Sequence, residues 1–274
     1  MMKFNKITLA VLLSSLGLTG VASAEAEVVS NKTIFGVHYD FHSNSTSETN
    51  GGKYDRGWAS MVNLTHADWG DFAAILHLDD YTISGNGNKD HPVGCEPFST
   101  VRTIFDVNYN LVGEDGQGLN LWVQNFTVAN RVIVENEMFA GLSYDLNYAG
   151  FSIRPRLGVS YFNLLAFTPY EKNTGHKAEF SDFNGWSAGI DIRRVFMVGI
   201  PLIAELKATY NGNYDDEYVK ESFSVDDYAY DIQLGMKAAI TKNFNVGISG
   251  TSRHNFAGYG KDGEYLTLSA SYAF

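Results

Sequence analysis

The chain closes on Leu266-Thr267-Leu268-Ser269-Ala270-Ser271-Tyr272-Ala273-Phe274. Leu266, Leu268, Ala270, Tyr272 and Phe274 share one parity and are apolar, while Thr267, Ser269, Ser271 and Ala273 are small or polar. A strand sends alternate residues to opposite faces, so this segment has one greasy face and one wet face. It ends on an aromatic. In a bacterial outer-membrane β-barrel, such a segment is the closing strand, with its aromatics at the membrane boundary.

The other end of the chain fits an exported protein. Lys3 and Lys6 precede a mostly apolar run, Ile7 to Val21, and Ala22-Ser23-Ala24 supplies a small-x-small cleavage pattern. This predicts a signal peptide over 1–24 and a mature barrel over 25–274. No later stretch reaches the roughly 20 apolar residues that a spanning helix needs. Cleavage leaves 18 basic and 31 acidic residues, a net charge of −13. That balance argues against binding a nucleic-acid polymer, which takes basic patches. Aromatics make up 14% of the chain, and the mean hydropathy is −0.15. A barrel reaches so polar an average because only alternate residues meet lipid. The one cysteine, Cys95, excludes an intrachain disulfide and reads as an incidental loop thiol.

Alternating segments fall at 33–42, 57–65, 71–82, 101–111, 119–126, 136–146, 151–162, 185–193, 201–210, 227–238, 244–253 and 264–274. They predict an all-β fold, a transmembrane antiparallel barrel of 12 strands. The connections alternate in length. Short ones fall at 66–70, 112–118, 147–150, 194–200 and 239–243, long ones at 43–56, 83–100, 163–184, 211–226 and 254–263, and a moderate one near 127–135. Short periplasmic turns and long outer loops give this asymmetry, and an even strand count puts both termini in the periplasm. Pro155 lacks a ladder donor and predicts a bulge early in the seventh strand.

Parity then separates two faces. Rows such as Phe35-Val37-Tyr39-Phe41 and Ile232-Leu234-Met236 read as lipid-facing. Trp58, Phe72, Tyr144, Phe151, Tyr210 and Phe244 read as membrane-boundary anchors. In the second and third strands Ala59, Met61, Ala73 and Ile75 make both faces apolar. The opposite parity carries His38, Asp40, His42, His77, Asp79, Arg102, Asp106, Asp145, Arg154, Arg156, Asp191, Arg193, Glu205, Lys207, Asp231, Gln233, Lys237 and Arg253. An Arg or Lys facing mid-membrane lipid costs about 2–4 kcal/mol, so charges on one parity define a polar lumen. Its aromatics are Tyr81, Trp122, Phe139, Phe162 and Tyr265.

Little in this lumen points to catalysis. His38, Asp40, His42, His77 and Asp79 have the residue types of a metal or acid–base cluster, but the second strand separates its two groups. No phosphate loop, zinc spacing or nucleophile elbow appears, and no cofactor, metal or catalytic residue is assigned. Asp215-Asp216-Glu217 reads as a solvated acidic loop, with calcium binding or a divalent bridge to lipopolysaccharide as the alternative.

The second hairpin carries a family resemblance. Asp68-Trp69-Gly70-Asp71-Phe72, followed by an alternating strand ending in Asp79-Asp80, resembles the turn and strand of Tsx-type nucleoside-specific outer-membrane channels and the related OmpK proteins. The resemblance implies a monomeric barrel of 12 strands with weak consecutive nucleoside sites along the lumen. On this chain the candidate solute contacts are Tyr81, Trp122, Phe139, Phe162 and Tyr265, for stacking, with Asp79, Arg102, Arg154, Arg156, Arg193, Glu205 and Lys207. The expected function is passive, substrate-selective diffusion of small polar solutes, nucleosides first. The expected partners are outer-membrane lipid, lipopolysaccharide and the barrel-assembly machinery. Three alternatives stand beside it. One is a hydrolase using Asp40, His42 or Asp79. Another is a receptor or adhesin acting through outer loops such as 163–184. The third is a sugar or organic-acid porin using the basic ladder.

Overall fold

The structure, a computed structural model, describes residues 28–49, 55–83, 100–114, 117–130, 133–166, 179–221, 225–256 and 261–274. The proposed signal peptide and Cys95 lie outside them, as does the side chain of Tyr81.

The strands are β1 (Val28–His42), β2 (Arg56–Ala67), β3 (Gly70–Ile83), β4 (Thr100–Glu114), β5 (Gln117–Asn130), β6 (Ile133–Tyr148), β7 (Phe151–Ala166), β8 (Glu179–Val198), β9 (Ile200–Gly212), β10 (Tyr228–Ala239), β11 (Phe244–His254) and β12 (Gly263–Ala273). Among the described residues two short helices, α1 (Asn44–Thr49) and α2 (Asp216–Glu221), sit in connections on one rim. Each strand pairs with its sequence neighbours, and β12 pairs with β1, so the barrel has 12 strands and no free edge. Closure matters because an unpaired edge in hydrocarbon leaves backbone polar groups unsatisfied. The seam runs antiparallel from Ile34 opposite Ala273 to His42 opposite Tyr265. Phe274 N donates to Thr33 O at 2.9 Å, which finishes the ladder.

The outer surface is apolar. Phe35, Val37, Leu157, Val159, Leu234 and Leu268 are all exposed on it. Aromatic contacts gather towards both rims. Phe274 meets Phe35 edge-on at 5.6 Å and Tyr272 at 4.9 Å. On the rim with the long connections, Tyr210 packs against Trp186 at 5.3 Å and Tyr228 at 6.0 Å. Ring bodies in lipid and polar tips in the headgroup layer explain this placement.

Several boundaries differ from the sequence expectation. The connection near 127–135 shrinks to residues 131 and 132, because β5 and β6 continue to Asn130 and from Ile133. Asn130 Oδ1 accepts from Ile133 N at 2.9 Å and ties that turn. β8 begins at Glu179, so the long connection 163–184 contracts to 167–178. Pro155 creates no bulge. Its pair with Ile190 on β8 is kept. On the β6 side the register is unchanged from Ser143–Arg156 to Leu146–Ile153, and only the intervening pairs drop out. A missing N–H removes a bond without adding a residue.

The irregularity of β7 lies further on, between Val159 and Tyr161. There β8 carries an extra residue at Asn184-Gly185. Gly185 has φ +80°, a left-handed conformation that glycine adopts without strain. This bulge turns Asn184 inward, where it is fully buried. Asn184 O accepts from Ser160 Oγ at 2.5 Å, and Asn184 Oδ1 accepts from Asp215 N at 2.8 Å. The chain entering α2 is thereby anchored inside the barrel.

Candidate functional lumen

Cross-strand partners share a face, so the registers place the described side chains of the predicted lumen rows on the inner wall. His38 lies opposite Trp58, His77 opposite Arg102, Arg154 opposite Asp191, Arg193 opposite Glu205, and Asp231 opposite Arg253. Trp58 therefore faces inward and is not a membrane anchor. Its ring stacks on His38 at 3.6 Å and meets His77 at 4.7 Å, and its Nε1 donates to Asp40 at 3.0 Å. The second strand had no clear apolar parity, and that ambiguity concealed this tryptophan. The suspected two-group cluster is thus spanned by an indole. Among the described residues no group of three or more His, Cys, Asp or Glu side chains is placed to hold a metal ion.

The inner wall divides into two regions. From β3 to β7 it is filled. Asp106 accepts from Asn108, Trp122 and Gln124 at 2.7, 3.1 and 2.7 Å. Ser143 donates to Asn108, and Asn120 to Asp145. Arg154 ties Asp145 of β6 to Asp71 of β3, the latter at 2.5 Å, and so reaches across several strands. His66 joins Asp71 at 2.8 Å. Arg156 pairs with Asp191 at 2.7 Å, bonds Thr209, and lies 5.4 Å from the Trp122 ring centre.

Above this network sits an aromatic cluster built around α2. Tyr214 and Tyr218 descend onto Phe162, at 5.6 and 5.0 Å, and Tyr218 also packs on Phe180. Trp122, Phe139 and Phe162 are 1%, 4% and 0% exposed. Tyr218 Oη donates to Glu135 Oε1 at 2.7 Å, and Asn211 Nδ2 donates to Tyr214 Oη at 3.1 Å. Burial, then the nearby Glu135 and Glu137 carboxyls, pushes the Tyr218 phenol well above its usual pKa, so it stays a donor. The acidic triplet has a local role here. Asp215 Oδ1 accepts from Glu217 N at 2.8 Å, capping α2, while Asp216 and Glu217 occupy its first turn.

The wall from β10 through β12 to β1 differs. Its inward residues include Gly235, Gly247, Ser249, Ser269, Ser271 and Gly36. These side chains are small, and neighbours close over two of the glycines, His38 and Ser60 over Gly36 and Lys237 and Ser269 over Gly247. Charges beside them stay accessible: Arg193 and Lys237 side chains are 56% and 47% exposed, and Lys207 is exposed as well. Higher in this region Asp40 is buried, accepting from Thr267 Oγ1 at 2.7 Å with Arg56 at 3.6 Å. Asp79 is likewise held by Arg102 at 2.7 Å. Arg253 pairs with Asp231 at 2.7 Å and lies 5.1 Å from the Tyr265 ring centre.

Of the candidate solute contacts, the structure brings Trp122, Phe139 and Phe162 together as packed core rather than as open stacking faces. Asp79, Arg102, Arg154 and Arg156 are engaged in ion pairs. Arg193 of β8 and Glu205 and Lys207 of β9 gather beside the accessible wall, and Tyr265 lies higher on it. Sequence reasoning missed the docked tyrosines Tyr214 and Tyr218, whose only signal is an aromatic pair at i and i+4 beside a helix cap.

A closed antiparallel barrel with an apolar exterior, polar interior and terminal aromatic is the architecture of outer-membrane porins. Several of the solved structures it resembles are described as porins or outer-membrane channels. A NanC porin matches with TM-score 0.51 at 9% identity, covering 87% of this chain and 98% of the porin. A KdgM porin matches with TM-score 0.46 at 7% identity, covering 88% and 99%. An outer-membrane channel from Pseudomonas putida F1 gives 0.47 at 14% identity, covering 92% and 98%. At such identities the likeness is one of fold. No protein-family model and no curated protein matches the sequence, and nucleoside specificity draws no support from these comparisons.

Proposed function

We propose that this chain is a bacterial outer-membrane channel for passive, selective diffusion of small polar solutes. The divided lumen carries the reading. A packed half braces the barrel, and the half beside it, lined by small and polar side chains, is read as the solute route along β10 to β1. On this reading residues 1–24 are removed at export and both termini lie in the periplasm. The barrel works as a monomer among phospholipid and lipopolysaccharide, after the assembly machinery engages β12.

Two solute classes compete. Nucleosides would stack on aromatic faces, but Trp122, Phe139 and Phe162 are buried in one cluster with Tyr214 and Tyr218, which leaves Trp58 and Tyr265 to support that preference. Sugar acids or other organic acids are favoured by the accessible Arg193, Lys207 and Lys237. A hydrolase is less supported, because Asp40 and Asp79 are already committed to hydrogen bonds and arginines. Planar-bilayer recording of the mature protein tests the proposal. Stepwise ion current reduced by added solutes is expected, and absence of current at any voltage would overturn it. Titrating adenosine, glucose and benzoate separately ranks the solute classes.

A further inference from the structure

Glu205 of β9, beside the accessible wall, stands at the centre of an uneven charge group. Lys237 Nζ lies 2.6 Å from Glu205 Oε2, and Arg193 Nε lies 3.9 Å from Oε1. Lys207 follows Glu205 at i+2 on the same face of β9, about 7 Å along the strand. All three cations act on the one carboxylate. The other acids on the inner faces of β8 and β10 are held by different arginines, Asp191 by Arg156 and Asp231 by Arg253. The group therefore sets three positive charges around Glu205, and the further carboxylate opposite Lys207, Asp191, is already paired with Arg156. Gly235 lies directly opposite Glu205 on β10, and Gly247 opposite Lys237 on β11, so neither faces a side chain across that pairing, while Ile203 of β9 lies opposite Lys237.

We infer that Arg193, Lys207 and Lys237 form an anion site in which Glu205 is the resident counter-ion, and that a solute carboxylate binds by displacing it. The inference rests on the channel reading for its purpose and on this charge group for its chemistry. Arg193 offers a fork that matches two oxygens, and Lys237 is a mobile point charge that can follow either carboxylate. Glu205 weakens the site's hold on the solute, as release requires. The class of ligand is a small carboxylic acid, a uronic acid included.

The sign of the Glu205 effect separates this device from a structural ion pair. Removing a resident competitor strengthens anion binding, whereas breaking a brace does not. A unit charge about 6 Å away in water alters occupancy about threefold. Two measurements on the full mature protein test it: the reversal potential in a KCl gradient across planar bilayers, and equilibrium dialysis of labelled succinate against the detergent-solubilised barrel. Wild type is expected to prefer chloride. Glu205→Gln should raise that preference and tighten succinate about threefold, while Lys207→Gln and Lys237→Gln should lower both. Heat-modified electrophoretic mobility establishes that each variant is folded. Cation preference in wild type, or a Glu205→Gln variant with unchanged or weakened succinate binding, would overturn the inference. If the dialysis pattern holds but no current flows, the site stands and the channel reading fails. If current flows but the variants leave selectivity and succinate unchanged, the anion site fails and the channel stands.

Discussion

From β3 to β7 the inner wall is dense with Trp122, Phe139, Phe162 and a continuous polar network, whereas from β10 to β1 it carries glycine and serine beside accessible charge. The same inward parity serves both regions. Their difference shows that facing the lumen is not the same as facing solute. In the packed region Arg154 is answered by Asp145 and Asp71, and Arg156 by Asp191. At the border of the accessible region Arg193 of β8, Lys207 of β9 and Lys237 of β10 surround Glu205. The packed region therefore contributes rigidity, and the accessible one supplies the surface a solute would meet.

Emptying the packed region should have the largest effect. Phe162→Ala removes a fully buried ring between β7 and α2, and such truncations cost about 3–5 kcal/mol. Urea unfolding in lipid vesicles should show the loss, and single-channel conductance should rise as α2 loosens. Next comes Arg154→Ala, which leaves Asp145 and Asp71 facing each other without their cation. These groups are partly exposed, so the expected cost is about 1–2 kcal/mol. The thermal transition in detergent should fall, and Asp71→Asn in the same chain should restore part of it.

A smaller effect is expected at the Tyr218–Glu135 hydrogen bond. Tyr218→Phe should weaken docking of α2 by about 1 kcal/mol, read as more frequent excursions to a higher conductance level. The pH sign follows from the raised phenol pKa. A phenol that titrates higher when docked stabilises docking in full below its ordinary value of 10.0, and this contribution is lost as pH rises above it. High-conductance excursions should thus increase above that pH in wild type and respond less in Tyr218→Phe. The least change in stability is expected from Ser269→Phe on the accessible wall. It should narrow the route and reduce conductance about twofold while the unfolding midpoint barely moves. Equal conductance in that variant would place the route elsewhere and erase the contrast between the two regions.

Much of the architecture was legible because lipid enforces alternation. A charge on the wrong parity is costly, so residues from His38 to Arg253 sorted themselves by position alone. The reading failed where that constraint is silent. Around Trp58 both parities are apolar or small, so pattern did not reveal which side met lipid. Pro155 reported a missing donor, not the register around it. The extents of β5, β6 and β8 were underestimated because strands that continue past the membrane no longer need apolar alternation. For the candidate site the residue types and facing were readable, but their accessibility was not.

By itself the sequence determined the closed β-barrel class, the strand count and the inward rows, since these follow from period-two patterning against an apolar solvent. Only the tertiary structure decided which inward residues are available. Asn184 must be turned in by a bulge, α2 must descend onto Phe162, and Gly235 must fall opposite Glu205. Each depends on contacts between residues far apart in the chain, and local patterning carries no record of them.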